Sequence, residues 1–128
     1  MKKSKPKFLL IEATIFPCDI LFSLADHQSI CEYIEKKKKY KLNNDEIEKL
    51  KMNGRGRTVR FENGQVIMRL KTYKTKTGFD LADLTHEISH AVFMILDYIG
   101  VRPTNDDDEV YAYYSEYLMR EILKVYDK

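Results

Sequence analysis

The chain has 128 residues and a formal net charge of +2 at pH 7, with 44% hydrophobic and 33% charged residues. This length fits a single domain with a substantial core, and nine Tyr and six Phe argue against a disordered chain. The small net charge excludes the strong basic excess of a dedicated nucleic-acid binder. Lysines cluster within residues 2–7 and 36–39, and arginines within 55–60. We interpret these runs mainly as solvated faces, so nucleic acid is a weakly supported partner.

The N-terminal residues imitate a signal peptide, because a basic start precedes a mostly apolar run from Phe8 to Phe16. Glu12 interrupts that run, Pro17 and Asp19 close it, and no small-x-small cleavage site follows. The run is also shorter than the roughly 20 residues of a membrane-spanning helix. We therefore expect a buried strand after a flexible basic tail (residues 1–7), no membrane partner and a cytoplasmic location.

The next segments predict a strand and two helices. Residues 19–24 are a candidate second strand. Asp26 to Lys39 predicts a helix that Asp26 caps, with an apolar stripe at spacings of three and four, formed by Ile30, Tyr33 and Ile34. Asn43 or Asn44 caps a short helix that ends at Asn53-Gly54.

A β-hairpin is the clearest local prediction. Residues 58–62 and 66–71 mostly alternate polar and apolar side chains, and Asn63-Gly64 between them suits a two-residue type I′ turn. One face of this hairpin is expected to be largely wet. The other is expected to face the core with Val59, Phe61, Val66, Met68 and Leu70.

Two longer helices complete the predicted order. The first is capped by Asp80 and runs to Ile99, where Gly100 is a left-handed C-cap. The second is capped by Thr104 or Asn105 and continues to about residue 126. The whole order predicts an α+β fold, a single domain over residues 1–128 in which a small mixed sheet with a hairpin packs on helices.

The long internal helix contains the motif H-E-x-x-H, formed by His86, Glu87 and His90. Residues four apart lie on one helix face, so both imidazoles can reach one ion. Zinc binds His nitrogens in tetrahedral geometry, and we therefore predict a zinc ion on His86 and His90. Glu87 is turned about 100° from His86, which places it to act as the general base on a zinc-bound water.

A downstream carboxylate is expected as the third ligand, because no third motif histidine follows. His27 stands near a predicted helix start and is interpreted as a surface residue. Glu109 and Glu116 lie seven apart on the last helix, with Tyr113 between them, and so share nearly one face. Glu116 is the reserve candidate, in surroundings that we expect to be semi-apolar. For Glu109 the alternative is a carboxylate that only favours the helix dipole.

The motif helix resembles that of the zincin metallopeptidases. The flanking positions that this family keeps uncharged or apolar are occupied by Leu84, Ile88, Ser89, Ala91 and Val92, whereas Asp83 departs from its pattern. Residues 105–114, N-D-D-D-E-V-Y-A-Y-Y, resemble a D-E-x-x-A-Y pattern of small zincin-like proteins of phages and prophages. The resemblance spans about residues 57–118. It implies a minimal zincin-like domain over residues 1–128, Glu109 as the third zinc ligand and Tyr113 as a supporting or oxyanion group.

The hypothesis that follows is a zinc-dependent metallohydrolase, most simply a minimal metallopeptidase acting on a peptide or protein. The alternative is a virion or assembly component of a phage or prophage, with a zincin-like fold, a structural or vestigial zinc and another phage protein as its partner. A third hypothesis, motivated by the basic runs, is a zincin-like protease that acts near DNA. A phage origin would place the protein in the host cytoplasm or the virion.

Overall fold

The computed structural model describes residues 5–13, 19–74, 78–102, 104 and 108–126. Within them the chain forms four strands and four helices, which confirms the expected α+β class. In chain order these elements are β1 (Phe8–Ile11), β2 (Ile20–Ser23), α1 (His27–Lys37), α2 (Asn44–Lys49), β3 (Gly56–Arg60), β4 (Val66–Leu70), α3 (Gly78–Tyr98) and α4 (Asp108–Tyr126).

The strands form one mixed sheet in the order β1-β2-β4-β3. β2 and β4 are parallel, whereas β1 with β2 and β3 with β4 are antiparallel. A parallel pair needs a long crossover, and here α1, α2 and β3 lie between its two strands. β3 therefore forms one edge of the described sheet, and this edge lies beside α3.

Helices cover both faces of the sheet. Met68 and Phe22 pack with Ile88 on the face of α3 and α4, and Ile67 packs with Ile30 on the face of α1 and α2. Every residue of β4 is consequently buried, including Arg69 at 1% exposure. The expectation of a largely wet second hairpin face is wrong, because α1 and α2 cover it.

The hairpin loop also differs from its prediction. Phe61 N–H donates to the Gln65 carbonyl at 2.9 Å, and Gly64 N–H donates to the Phe61 carbonyl at 3.0 Å, so three residues form the loop. Gly64 has φ +96°, while Asn63 lacks the positive φ that a type I′ turn needs at both central positions. The extra loop residue reverses the faces of β3 relative to β4.

This reversal corrects the predicted core face. Val59 is the partner of Ile67, and Thr58 is the partner of Met68. Val59 and Phe61 therefore pack under α1 and α2, on the opposite face from Val66, Met68 and Leu70. Thr58 faces α3 instead, and this position matters for the site described below.

The N-terminal apolar run forms an edge strand. The strand ends at Ile11, and residues 14–18 lie outside the described residues. Leu10 is 44% exposed, so this edge strand of the described sheet is only partly buried, whereas the sequence predicted a buried strand. No helix in the described part of the chain combines the length and apolar character needed to cross a membrane.

The helix starts largely agree with the sequence signals, but α2 ends at Lys49, before the predicted end at Asn53-Gly54. Asp26 caps α1 by accepting the Ser29 N–H at 2.8 Å, and Asn43 caps α2. α3 begins at Gly78, two residues before the predicted cap, and ends at Tyr98. Gly100, the predicted left-handed C-cap, follows it with φ +84°. The predicted cap at Asn105 lies outside the described residues.

Candidate metal centre

His86 and His90 lie one turn apart on the exposed face of α3. Their Nε2 atoms are 3.1 Å apart, and the ring planes are inclined by 79°. Two imidazole nitrogens on one tetrahedral zinc ion are about 3.3 Å apart, because each bond is about 2.0–2.1 Å long. The side-chain positions therefore fit a shared ion. The same separation also suits an N–H···N hydrogen bond between two neutral rings.

Glu87 points away from solvent toward the edge strand. Its side chain is 5% exposed, and its Oε1 accepts a hydrogen bond from Thr58 Oγ1 at 2.7 Å. The same hydroxyl lies 3.3 Å from the Glu87 backbone carbonyl. Thr58 reaches this position because the three-residue hairpin loop turns it toward α3. The general-base candidate is thus held by a residue of β3.

Gly56 makes this close approach possible. A Cβ atom added at this position would lie 2.7 Å from Glu87 Oε2, closer than real Cβ contacts. Any other residue at position 56 would therefore displace the carboxylate or the strand. The absence of a side chain here lets the buried carboxylate pack directly against the β3 backbone.

Polar side chains at both ends of β3 contact α3. Arg55 Nε lies 3.2 Å from Asp83 before the strand begins. At the other end Arg60 Nη1 donates to the Met94 carbonyl at 3.0 Å and lies 3.4 Å from Asp97. With the central Thr58 contact, these interactions set the separation between the edge strand and the histidines.

A groove of about 650 Å³ runs between the edge strand and the motif helix. It brings the two histidines and Glu87 together with basic and apolar side chains. Its lining residues are Lys49, Gly56, Arg57, Thr58, Val59, Arg60, His86, Glu87, His90, Phe93, Met94 and Asp97. Phe93 is 52% exposed beside the histidines, so the groove offers an apolar surface as well as three cations.

The predicted third ligand is not brought to the histidines. Glu109 and Tyr113 are exposed near the start of α4, and neither lines the groove. Glu116 forms an exposed ion pair with Arg120, so the expected semi-apolar surroundings are wrong. Among the described residues, no group of three His, Cys, Asp or Glu side chains could hold a metal ion. The assignments of Glu109 and Tyr113 stay predictions.

Gly56, Thr58 and Arg60 were not identified from the sequence as parts of the site. They occupy alternate positions on β3, and this period of two places them on one face of the strand. The face that they share depends on the hairpin loop, whose Asn-Gly pair also fits a three-residue connection. Comparison with protein-family models, curated proteins and solved structures found no match to this chain.

Proposed function

We propose that the protein is a zinc-dependent hydrolase of peptides, with zinc held by His86 and His90. The observation that carries this proposal is the 3.1 Å separation of their Nε2 atoms at an exposed site. Glu87 lines the same groove, so a metal ligand pair and a carboxylate share one solvent-accessible space. The zincin resemblance implies Glu109 as the third ligand of a His₂Glu set, and this assignment requires α4 to bring Glu109 closer to the histidines than the structure places it.

In the proposed reaction the zinc ion activates the water and the carbonyl, and the residues of the chain transfer the protons. Bound zinc lowers the pKa of a coordinated water to about 7 and polarises a carbonyl. Glu87 accepts a proton from the attacking water as its oxygen bonds to the carbonyl carbon. When the C–N bond breaks, Glu87 returns that proton to the leaving nitrogen. Thr58 restrains Oε1 of Glu87, so the carboxylate keeps one orientation during both transfers.

The edge position of β3 supports a peptide as the substrate. An extended peptide can add to an exposed sheet edge through main-chain hydrogen bonds, as substrates do in the zincins that the motif resembles. All five residues of β3 line the groove that also contains the histidines. A peptide paired with this strand would therefore pass the proposed zinc ligands.

A second candidate is a phage or prophage assembly component in which zinc is structural. The observation in its favour is the enclosure of Glu87, which is 5% exposed and already bonded to Thr58. A carboxylate held in this way ties α3 to β3 whether or not it transfers protons. In this alternative the groove binds a protein segment without cleaving it.

Glu87→Gln separates the two candidates. We expect zinc-loaded wild type to cleave members of a fluorogenic peptide library, and we expect Glu87→Gln to retain zinc while losing at least about a hundredfold in kcat, as removal of a general base does. Glu32→Gln, at an exposed position on α1, is the matched control and should cleave like wild type. Cleavage by Glu87→Gln at the wild-type rate would refute the mechanism. A zinc-loaded wild type that cleaves nothing would favour the assembly role.

A further inference from the structure

A second pocket lies at the carboxyl ends of the parallel strands β2 and β4. It has a volume of about 360 Å³ and shares no lining residue with the groove. The pocket is formed by the β2–α1 connection, the segment after α2 and the end of β4. Its lining residues are Leu24, Ala25, Asp26, His27, Met52, Asn53, Gly54, Arg69 and Lys71.

Arg69 forms the buried floor of this pocket. It is 1% exposed, and its Nη1 and Nη2 atoms donate to the backbone carbonyls of Leu50 and Ala25. Among the residues that the structure describes, its Nε has no hydrogen-bond partner, and Arg69 takes part in none of their ion pairs. A buried cation without an anionic partner is costly. The carbonyls stabilise its geometry but leave its positive charge largely uncompensated.

Asp26, the carboxylate that lines the pocket, is already engaged. Asp26 caps α1 through the Ser29 N–H, and this bond is the main cause that holds the pKa of Asp26 below its ordinary value. Burial lowers the pKa of Arg69, and the neighbouring Cys31 and Asp26 offset this only in part. The protein therefore supplies only partial compensation for the guanidinium.

Other features of the pocket also favour negative charge. His27 is the first residue of α1, an 11-residue helix, and the N-terminal end of a helix carries partial positive charge. His27 is half-buried, not the surface residue predicted above, and its buried Nδ1 has no hydrogen-bond partner among the described residues. Lys71 lies exposed at the rim. Carboxyl ends of parallel strands are also common ligand positions in α/β sheets.

We propose that this pocket binds a small molecule through an oxyanion, either a phosphate or a carboxylate. The Lys71 ammonium contacts the oxyanion at the rim. The buried charge of Arg69 and the N-terminal end of α1 attract it from below. This site is independent of the proposed zinc ligands, which lie on α3 on the other face of the sheet.

The test is an NMR titration of the full chain with inorganic phosphate and, separately, with acetate, at constant ionic strength set by sodium chloride. The signals followed are the His27 backbone amide and the Arg69 Nε–H. We expect saturable shifts with at least one anion. Lys71→Ala should weaken binding about tenfold, a loss of about 1.4 kcal/mol, because the exposed ammonium contacts the oxyanion directly. The anion that saturates the shifts identifies the preferred oxyanion.

Lys41→Ala is the matched control, since Lys41 is an exposed lysine that does not line the pocket. It should bind with the wild-type Kd, as should His90→Ala, which removes a proposed zinc ligand. If neither phosphate nor acetate produced saturable shifts, the proposal would be overturned. Equal affinity of Lys71→Ala and Lys41→Ala would also overturn it.

Discussion

Replacing Thr58 by Val tests how the candidate general base is held. Val closely matches the shape of Thr but has no hydroxyl, so the substitution removes the 2.7 Å hydrogen bond to Glu87 Oε1 with little change in packing. A hydrogen bond to a charged group contributes about 1.5–3 kcal/mol when its partner is buried. Thr58 is 7% exposed and Glu87 is 5% exposed, so solvent cannot replace the lost donor. We expect the free energy of unfolding to fall by about 2 kcal/mol.

Urea denaturation of the metal-free protein measures this loss without any contribution from zinc. Thr72→Val is the control, because Thr72 is exposed, and surface substitutions usually change stability by less than about 0.5 kcal/mol. The same Thr58→Val change in a Glu87→Gln background should cost less, because the charge-assisted bond is already lost. If Thr58→Val and Thr72→Val had equal stability, Thr58 would not hold the carboxylate.

Three further substitutions and one pH dependence test the groove and the core. Gly56→Ala should lower the free energy of unfolding by about 1–3 kcal/mol and reduce any peptidase activity, because the added Cβ would lie 2.7 Å from Glu87 Oε2. Unchanged stability and activity would contradict the close approach of β3 to Glu87. Tyr114→Phe should be neutral or stabilising in urea denaturation, since the buried Tyr114 hydroxyl has no hydrogen-bond partner among the described residues. Tyr126→Phe should lower the free energy of unfolding by about 1 kcal/mol, because the Tyr126 hydroxyl donates to the Pro6 carbonyl at 2.9 Å. Burial raises the pKa of both tyrosines to about 12. Because the unfolded chain then ionises at lower pH, stability present below pH 10 should be lost as pH rises from 10 toward 12; a flat profile in circular dichroism would contradict this.

Local signals in the sequence predicted the motif helix and its two histidines. Helical spacing alone brings His86 and His90 together, and Asp26, Asn43 and Gly100 mark helix ends through short-range hydrogen bonds and backbone conformation. These features depend on neighbours within about one helical turn. The sequence therefore carries them without knowledge of the fold.

The edge-strand side of the site depended on information that is not local. Asn63-Gly64 suits both a two-residue and a three-residue loop, and one additional residue exchanges the two faces of β3. Alternation of polar and apolar residues predicts a hairpin with a single buried face, and this favours the two-residue loop. The structure has the three-residue loop, and helices cover both faces of β4. For the same reason Thr58 was expected to be solvent-facing, although it contacts Glu87.

The third-ligand prediction depended on how α4 lies relative to α3. The seven-residue spacing of Glu109 and Glu116 places them on nearly one helix face but does not show what that face contacts. The ion pair of Glu116 with Arg120 is local. The orientation of α4 follows from core residues such as Leu118 and Ile122, which pack toward the sheet.

Zinc content tests the central claim most directly. Wild type, His90→Ala, Glu109→Ala and the control His27→Ala are purified without added metal, and elemental analysis measures the zinc bound per chain. The account predicts about one zinc per chain in wild type and in His27→Ala, loss in His90→Ala and weaker binding in Glu109→Ala. A wild type without zinc, together with His90→Ala that is equally stable, would contradict the metal centre and leave the two histidines as exposed side chains of α3.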